Sequence, residues 1–351
     1  MRRRAALTMA VLVPLLAGCS TLRYYSQAVS GQLDLMRRAA PIAEQLRADS
    51  TSAALKIKLQ TALRIRDFAS RELGLPDNGS YRSYADLGRQ YALWNVFAAP
   101  EFSIEPVSSC FLFAGCVSYR GYFSQADAQA EGARLRDQGY DVYVGGVPAY
   151  STLGWFNDPV LNTFVNYPEG ELARLLFHEL AHQTVYAKND TRFNESFATT
   201  VEQVGVERWL AREGVAAKRA AYERSQIRRR EFLALILKYR SRLTQYYRED
   251  LSAEVKRSGK ARLFTDMDHD YRQLKASWGG FAGYDRWFAA KPNNATLASV
   301  ALYTDLVPAF RALLEREGAD LPRFYAAVKE LARLPQVERD ARLHSVLKTR
   351  D

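Results

Sequence analysis

The chain has 351 residues, 48% hydrophobic and 25% charged, enough for one large core or two domains. That composition describes an ordinary globular protein and excludes a disordered or fibrous one. The 49 basic and 39 acidic residues leave a formal charge of +10. This excess reads as a solvated basic surface rather than a nucleic-acid site, and it also suits the neighbourhood of anionic lipid.

Arg2-Arg3-Arg4 followed by the apolar run Ala5 to Leu16 reads as a secretion signal, too short to span a bilayer comfortably. It ends in Leu16-Ala17-Gly18-Cys19, which resembles the bacterial lipobox. That resemblance implies removal of residues 1–18, acylation of Cys19 and a lipid anchor in the membrane. Ser20 is not aspartate, which by the sorting rule of such lipoproteins favours the periplasmic face of the outer membrane. No later stretch is long and apolar enough to span.

Residues 19–100 read as a helical region. Tyr25, Val29, Leu33, Met36 and Ala40 recur at helical spacing, and Pro41 kinks or restarts the helix. Ser50 or Thr51 caps a second helix that stops near Gly74-Leu75-Pro76. Tyr84 to Leu93 reads as a third, short helix leading into Trp94-Asn95-Val96-Phe97.

Composition then shifts, and residues 101–212 read as an α/β unit. Phe111 to Phe113, Val117 to Phe123 and Asp141 to Val147 are the predicted strands, with a helix capped by Ser124 between the last two. In an exported chain Cys110 and Cys116 read as a disulfide closing a small loop, or else as buried thiols.

Asn166, Tyr167, Pro168 and Glu169 open the next helix with a cap, a proline and an acid near its positive end. Leu172, Ala173, Leu176, Phe177 and Leu180 form its core side. The other side carries His178 and His182, two of only four histidines in the chain. Residues four apart share a helix face, so both imidazoles can reach one metal ion, for which Zn2+ is the usual occupant. Glu179 stands where a general base would take a proton from activated water. A catalytic zinc takes three protein ligands, and Glu195, on a second helix after Asn189-Asp190-Thr191, is placed to be the third. The alternative is a polar helix face with no metal. Glu202, two turns after Glu195, reads either as a partner of a zinc-binding histidine or as a solvated acid.

The run His178-Glu179-Leu180-Ala181-His182-Gln183, followed by Asn194-Glu195-Ser196-Phe197-Ala198 and Glu202, resembles the zinc core of the aminopeptidase N family of gluzincins. The likeness covers about residues 177–205, with a shorter gap between His182 and Glu195. It implies one zinc per chain held by His178, His182 and Glu195, with Glu179 as base, on a zincin-like fold. Trp94 to Pro100 and Tyr150 to Phe156 resemble a family of predicted aminopeptidase lipoproteins of Gram-negative bacteria. In gluzincins an edge strand holds the substrate backbone. Tyr150 to Phe156, with Tyr150 and Gly154 as substrate-binding candidates, stands at that place, or is a loop filling core with Trp155 and Phe156. The amine-binding glutamate of aminopeptidase N relatives has no counterpart, and Asp158 is the nearest carboxylate. Related enzymes supply a transition-state donor downstream. Tyr303 is the first candidate, with Tyr284 and Tyr150 as alternatives.

Residues 213–351 read as a helical region packing on the core. Ala216 to Lys256 forms one long helical stretch, with Arg228-Arg229-Arg230 as solvated surface. The acids around His269 are weak evidence for a second metal. The predicted fold is α+β and predominantly helical, a zincin-like metallopeptidase core with a small mixed sheet before the zinc helix. The function implied is a zinc aminopeptidase acting on peptide substrates. A zinc endopeptidase and a non-catalytic envelope-binding lipoprotein are the alternatives. Nothing in the sequence sets an oligomeric state.

Overall fold

Side-chain caps and left-handed residues punctuate the helices. The computed structural model describes residues 22–111, 115–149, 151–300 and 306–348, so Cys19, Tyr150 and Tyr303 lie outside the described residues. Helix α1 (residues 22–38) leads through β1 (Ala40–Pro41) and α2 (Ile42–Arg47) to α3 (Ala53–Leu73). The Ser52 hydroxyl accepts from the Leu55 amide at the start of α3, and Gly74 ends it in the left-handed region.

The helix expected over Tyr84 to Leu93 does not form. Strand β2 (Ser83–Ala85) is followed by a loop with Gly88 at φ 61°, and then by β3 (Leu93–Ala99). Every residue of β3 is buried. A strand covered on both faces shows no alternation, so its neighbours rather than its local pattern identify it. Next come β4 (Ser109–Phe111) and β5 (Gly115–Val117), a hairpin whose paired Cys110 and Cys116 are disulfide-bonded. Strand β6 (Arg120–Tyr122), helix α4 (Gln125–Asp137), strand β7 (Asp141–Val147) and strand β8 (Val160–Leu161) follow.

The main sheet has the order β6-β3-β7, antiparallel throughout, and β1-β2-β8 form a smaller one. Alternation along β3 divides its side chains between two faces. Trp94, Val96 and Ala98 pack with Tyr122, Val142 and Ala128 of α4. Leu93, Asn95 and Phe97 look the other way, towards the helices that follow.

Those helices are α5 (Glu169–His182) and α6 (Thr191–Glu213), which lie side by side against α3. Leu172, Ala173, Leu176, Phe177 and Leu180 are fully buried. Gly205 permits the close approach, because a Cβ there would lie 2.7 Å from the Phe177 ring and 2.8 Å from Leu73. Helix α7 (Ala216–Arg248) and helix α8 (Ala253–Ser277) form a hairpin, so the stretch expected to continue to Lys256 is broken at residues 249–252. Helix α9 (Asp285–Ala289) and helix α10 (Asn294–Val300) join this hairpin to the sheet, the buried Asn294 side chain donating to the carbonyls of Pro100 and Glu101. Helices α11 (Val307–Arg316), α12 (Leu321–Ala332) and α13 (Gln336–Lys348) close the C-terminal side, α11 packing on α6. With 63% helix and small sheets the fold is α+β and predominantly helical. No described helix is long and apolar enough to cross a membrane.

Candidate metal centre

Helix α5 carries Arg174, His178 and His182 at intervals of four, so all three side chains share one face. Helix α6 begins at the Asp190 cap, whose carboxylate accepts from the Phe193 amide and pairs with the buried Arg339 at 2.6 Å. Asn194 fixes the short α5–α6 connection by bonding both the amide and the carbonyl of Ala187. Glu195 is thereby turned towards the histidines.

His178 Nε2 lies 3.1 Å from His182 Nε2 and 3.2 Å from Glu195 Oε2, and His182 Nε2 is 3.7 Å from Glu195 Oε1. One donor atom from each residue falls within 4.8 Å of the other two. Bonds of about 2.0–2.1 Å in a tetrahedron place donors about 3.3 Å apart, so this set fits a zinc-sized cation. Without a cation, nitrogen lone pairs would face each other or hold a proton between them. Among the described residues this is the one such group of histidine, cysteine and acidic side chains.

The electrostatics agree with that fit. Burial lowers the His182 imidazole to about 4, keeping it neutral and able to ligate. For His178 burial acts downward, but its bonds to Glu195 and Glu202 prevail and hold it up at about 10. A cation at Nε2 would replace that proton and leave the Nδ1 bond to Glu202 intact. That bond is 2.9 Å long. Glu202 is itself buried, a desolvation that works against its charge, yet Arg174 at 3.0 Å and His178 bring its carboxyl down to about 2. Arg229 of α7 approaches the other oxygen of Glu202 at 3.7 Å. The Arg228-Arg229-Arg230 run is therefore not simply solvated: Arg229 reaches Glu202, and Arg228 lies over the Phe281 ring.

Glu179 differs from these acids. It has no hydrogen bond or ion pair with any described residue, and it lines the cleft beside the metal set. Burial pushes its carboxyl up to about 7, with the His178 charge opposing. A base is most effective with its pKa near the working pH.

The cleft measures ≈ 520 Å³. The face of the sheet bearing Leu93 and Asn95 forms one wall, α5 and α6 another, and Tyr24 and Tyr25 of α1 close one side. Two further tyrosines, Tyr119 and Tyr186, line it near Glu195. Tyr284 does not; it stacks on Phe232 at 4.0 Å in the hairpin.

No strand forms between Ser151 and Asp158, so the edge-strand expectation is overturned there. The reason is Asp158, whose carboxylate accepts from Ser151 and twice from Thr152 and curls the segment into a loop. Gly154 takes φ 83° and rests near Gln183. The loop does not fill core either: Trp155 is 82% exposed. Asp158 is spent on this loop and does not line the cleft.

The family described as "Putative aminopeptidase" matches residues 23–343. The chain belongs to that family. The match runs from α1 into α13 and takes in the cleft, both histidine-bearing turns and Glu195. No curated protein and no solved structure matches the chain. Family membership thus supports peptidase activity, and the chemistry must be argued from the cleft itself.

Arg174, Arg229, Asn95 and Tyr119 are functional candidates that sequence reasoning missed. Only Arg174 left a local signal, four residues before His178 on the same face.

Proposed function

We propose that the protein is a zinc-dependent aminopeptidase with a gluzincin-like centre, anchored through Cys19 to the periplasmic face of the outer membrane. One observation carries the reading. His178, His182 and Glu195 converge within 4.8 Å in an open cleft, with the unpartnered Glu179 beside them. The three donors would hold one zinc per chain, and zinc supplies a Lewis acid that acidifies water and polarises a carbonyl. Glu202 orients His178 by receiving its Nδ1 proton, and Arg174 keeps Glu202 charged. Glu179 takes the proton of the attacking water and passes it to the leaving amine. Tyr119 is the hydroxyl donor we assign to the developing oxyanion, because it lines the same cleft as Glu179 and Glu195. Tyr303, the first candidate for that role, is outside the described residues.

The test measures zinc content and cleavage of free and N-acetylated peptides by wild type and Glu179→Gln. We expect one zinc per chain, cleavage of free peptides, and a loss of about 10²–10⁴-fold in kcat with zinc retained in the variant. Equal cleavage of acetylated peptides would favour a zinc endopeptidase. Zinc without cleavage by either protein would favour an envelope-binding lipoprotein. A folded wild type that takes up no zinc would overturn the reading.

A further inference from the structure

The cleft face of the β6-β3-β7 sheet carries one carboxamide among apolar and aromatic side chains. Along β3, Leu93 and Phe97 flank Asn95, and Phe123 and Val147 stand nearby on the same wall. Across the strands Asn95 pairs with Gly121 of β6 and Gly145 of β7. It therefore carries the one side chain in its row. A Cβ on Gly121 would come within 3.4 Å of Asn95 Oδ1, so the glycine leaves the carboxamide room.

Asn95 is 8% exposed, and its Oδ1 has no hydrogen-bond partner among the described residues. No described residue bonds its Nδ2 either. An unsatisfied buried polar group costs about 1–3 kcal/mol, and a leucine or valine would serve this apolar face better. The group lines the same cleft as His178, Glu179 and Glu195. Its terminal torsion is broad and two-fold, so either end of the carboxamide can turn to the cleft.

Several other polar groups of the cleft are committed. Asn194 is tied at both ends to Ala187, and Ser151 donates to Asp158 while accepting from the Leu153 amide. Glu195 belongs to the metal set and Glu179 to the water. Tyr119 is suited to donate to an oxyanion. Among the described residues nothing donates to the carbonyl of Asn95.

Helix α1 supplies a second, independent observation. The Gln27 carboxamide accepts from the Phe123 amide at 3.0 Å and donates to the Gly121 carbonyl at 3.4 Å. It thus takes the outer edge of β6, where an extended peptide would otherwise pair. Tyr24 and Tyr25 from the same helix wall the cleft on that side. Helix α1 thus bounds the cleft on the β6 side of Asn95.

We infer that Asn95 receives the free N-terminal amino group of the substrate through its side-chain carbonyl, and that α1 closes the cleft just beyond it. This rests on the peptidase reading above and names the residue that would make it an aminopeptidase. It stands in for the missing glutamate with a neutral acceptor.

The test compares leucine para-nitroanilide with its desamino analogue, 4-methylpentanoyl para-nitroanilide, on zinc-loaded wild type, Asn95→Ala and Asn95→Asp. One hydrogen bond to a charged group corresponds to about 10–100-fold in affinity. Asn95→Ala is expected to lose that factor in kcat/KM on the amine-bearing compound and to leave the desamino compound within about threefold. Asn95→Asp, which places a carboxylate at the same point, is expected to keep or exceed wild-type preference for the amine. Equal losses on both compounds, or none on either, would overturn the assignment. Calorimetry of leucinamide and 4-methylpentanamide on wild type needs neither turnover nor a folded variant. There, tighter binding of the amine by about tenfold or more supports the assignment, and equal or absent binding of the two overturns it. Failure of the peptidase reading looks different: neither anilide is cleaved, while the calorimetric comparison still reads the amine site.

Discussion

The candidate metal centre and the α7–α8 hairpin handle charge in opposite ways. Between α5 and α6 the charged groups are interior. Glu202 is 1% exposed and meets His178, Arg174 and Arg229 at once. In the hairpin the charges stay on the rim, where Lys238 pairs with Asp270 and Arg242 approaches Asp266, while Phe232, Tyr239, Leu243, Met267 and Tyr271 fill the space between the helices. A buried ion network is weak evidence for stability, since desolvation offsets most of its attraction. Its value lies in holding one imidazole in one orientation. The rim pairs contribute little, and only Asp270 reaches inward, accepting from the Tyr239 hydroxyl at 2.8 Å. The same residue types therefore serve function in one region and solubility in the other, and burial decides which.

Core truncations separate the two regions most strongly. Phe177→Ala removes a fully buried ring next to His178, packed on Phe68 and Gly205. We expect about 3–5 kcal/mol lost in denaturant unfolding, together with weakened zinc uptake. Met267→Ala empties the hairpin core instead, with about 2–5 kcal/mol lost and zinc affinity unchanged. Parallel loss of zinc in both variants would show that hairpin and centre act as one unit. A smaller effect follows at the interior network. Glu202→Gln keeps the shape but removes the charge that receives the His178 proton, and zinc affinity is expected to fall about 10–100-fold in a competition titration. Unchanged affinity would reduce Glu202 to a packing role. The smallest effect belongs to the rim: Asp266→Asn, the same chemical change on the hairpin surface, is expected to alter stability by less than about 1 kcal/mol in denaturant unfolding.

Much of the centre was legible because it is local. The four-residue interval puts His178 and His182 on one face of α5 wherever that helix lies, and the apolar residues opposite them commit that helix to a buried side. The caps and stops at Gly74, Asp190 and Gly214 are equally local. The strand β7 could be read from its composition, but β3 could not. Its Leu93-Trp94-Asn95-Val96-Phe97 run is buried on both faces and carries no period of its own. The segment from Ser151 to Asp158 reads as either an edge strand or a core-filling loop, because nothing in its pattern shows that Ser151 and Thr152 turn back onto Asp158 and Phe156.

What the sequence by itself determined is the α+β, mainly helical class, the shared face of His178 and His182 on α5 and the candidate third donor on α6. Only the tertiary structure decided that Glu195 reaches His178, that Arg174 and Arg229 converge on Glu202, and that Asn95 faces the same cleft from a sheet. The physical reason is range. Helix phase and caps depend on neighbours within about one turn. Convergence of α3, α5, α6 and β3 depends on apolar surfaces that meet only when the chain has closed on itself, and on glycines such as Gly205 and Gly121 that let them come close.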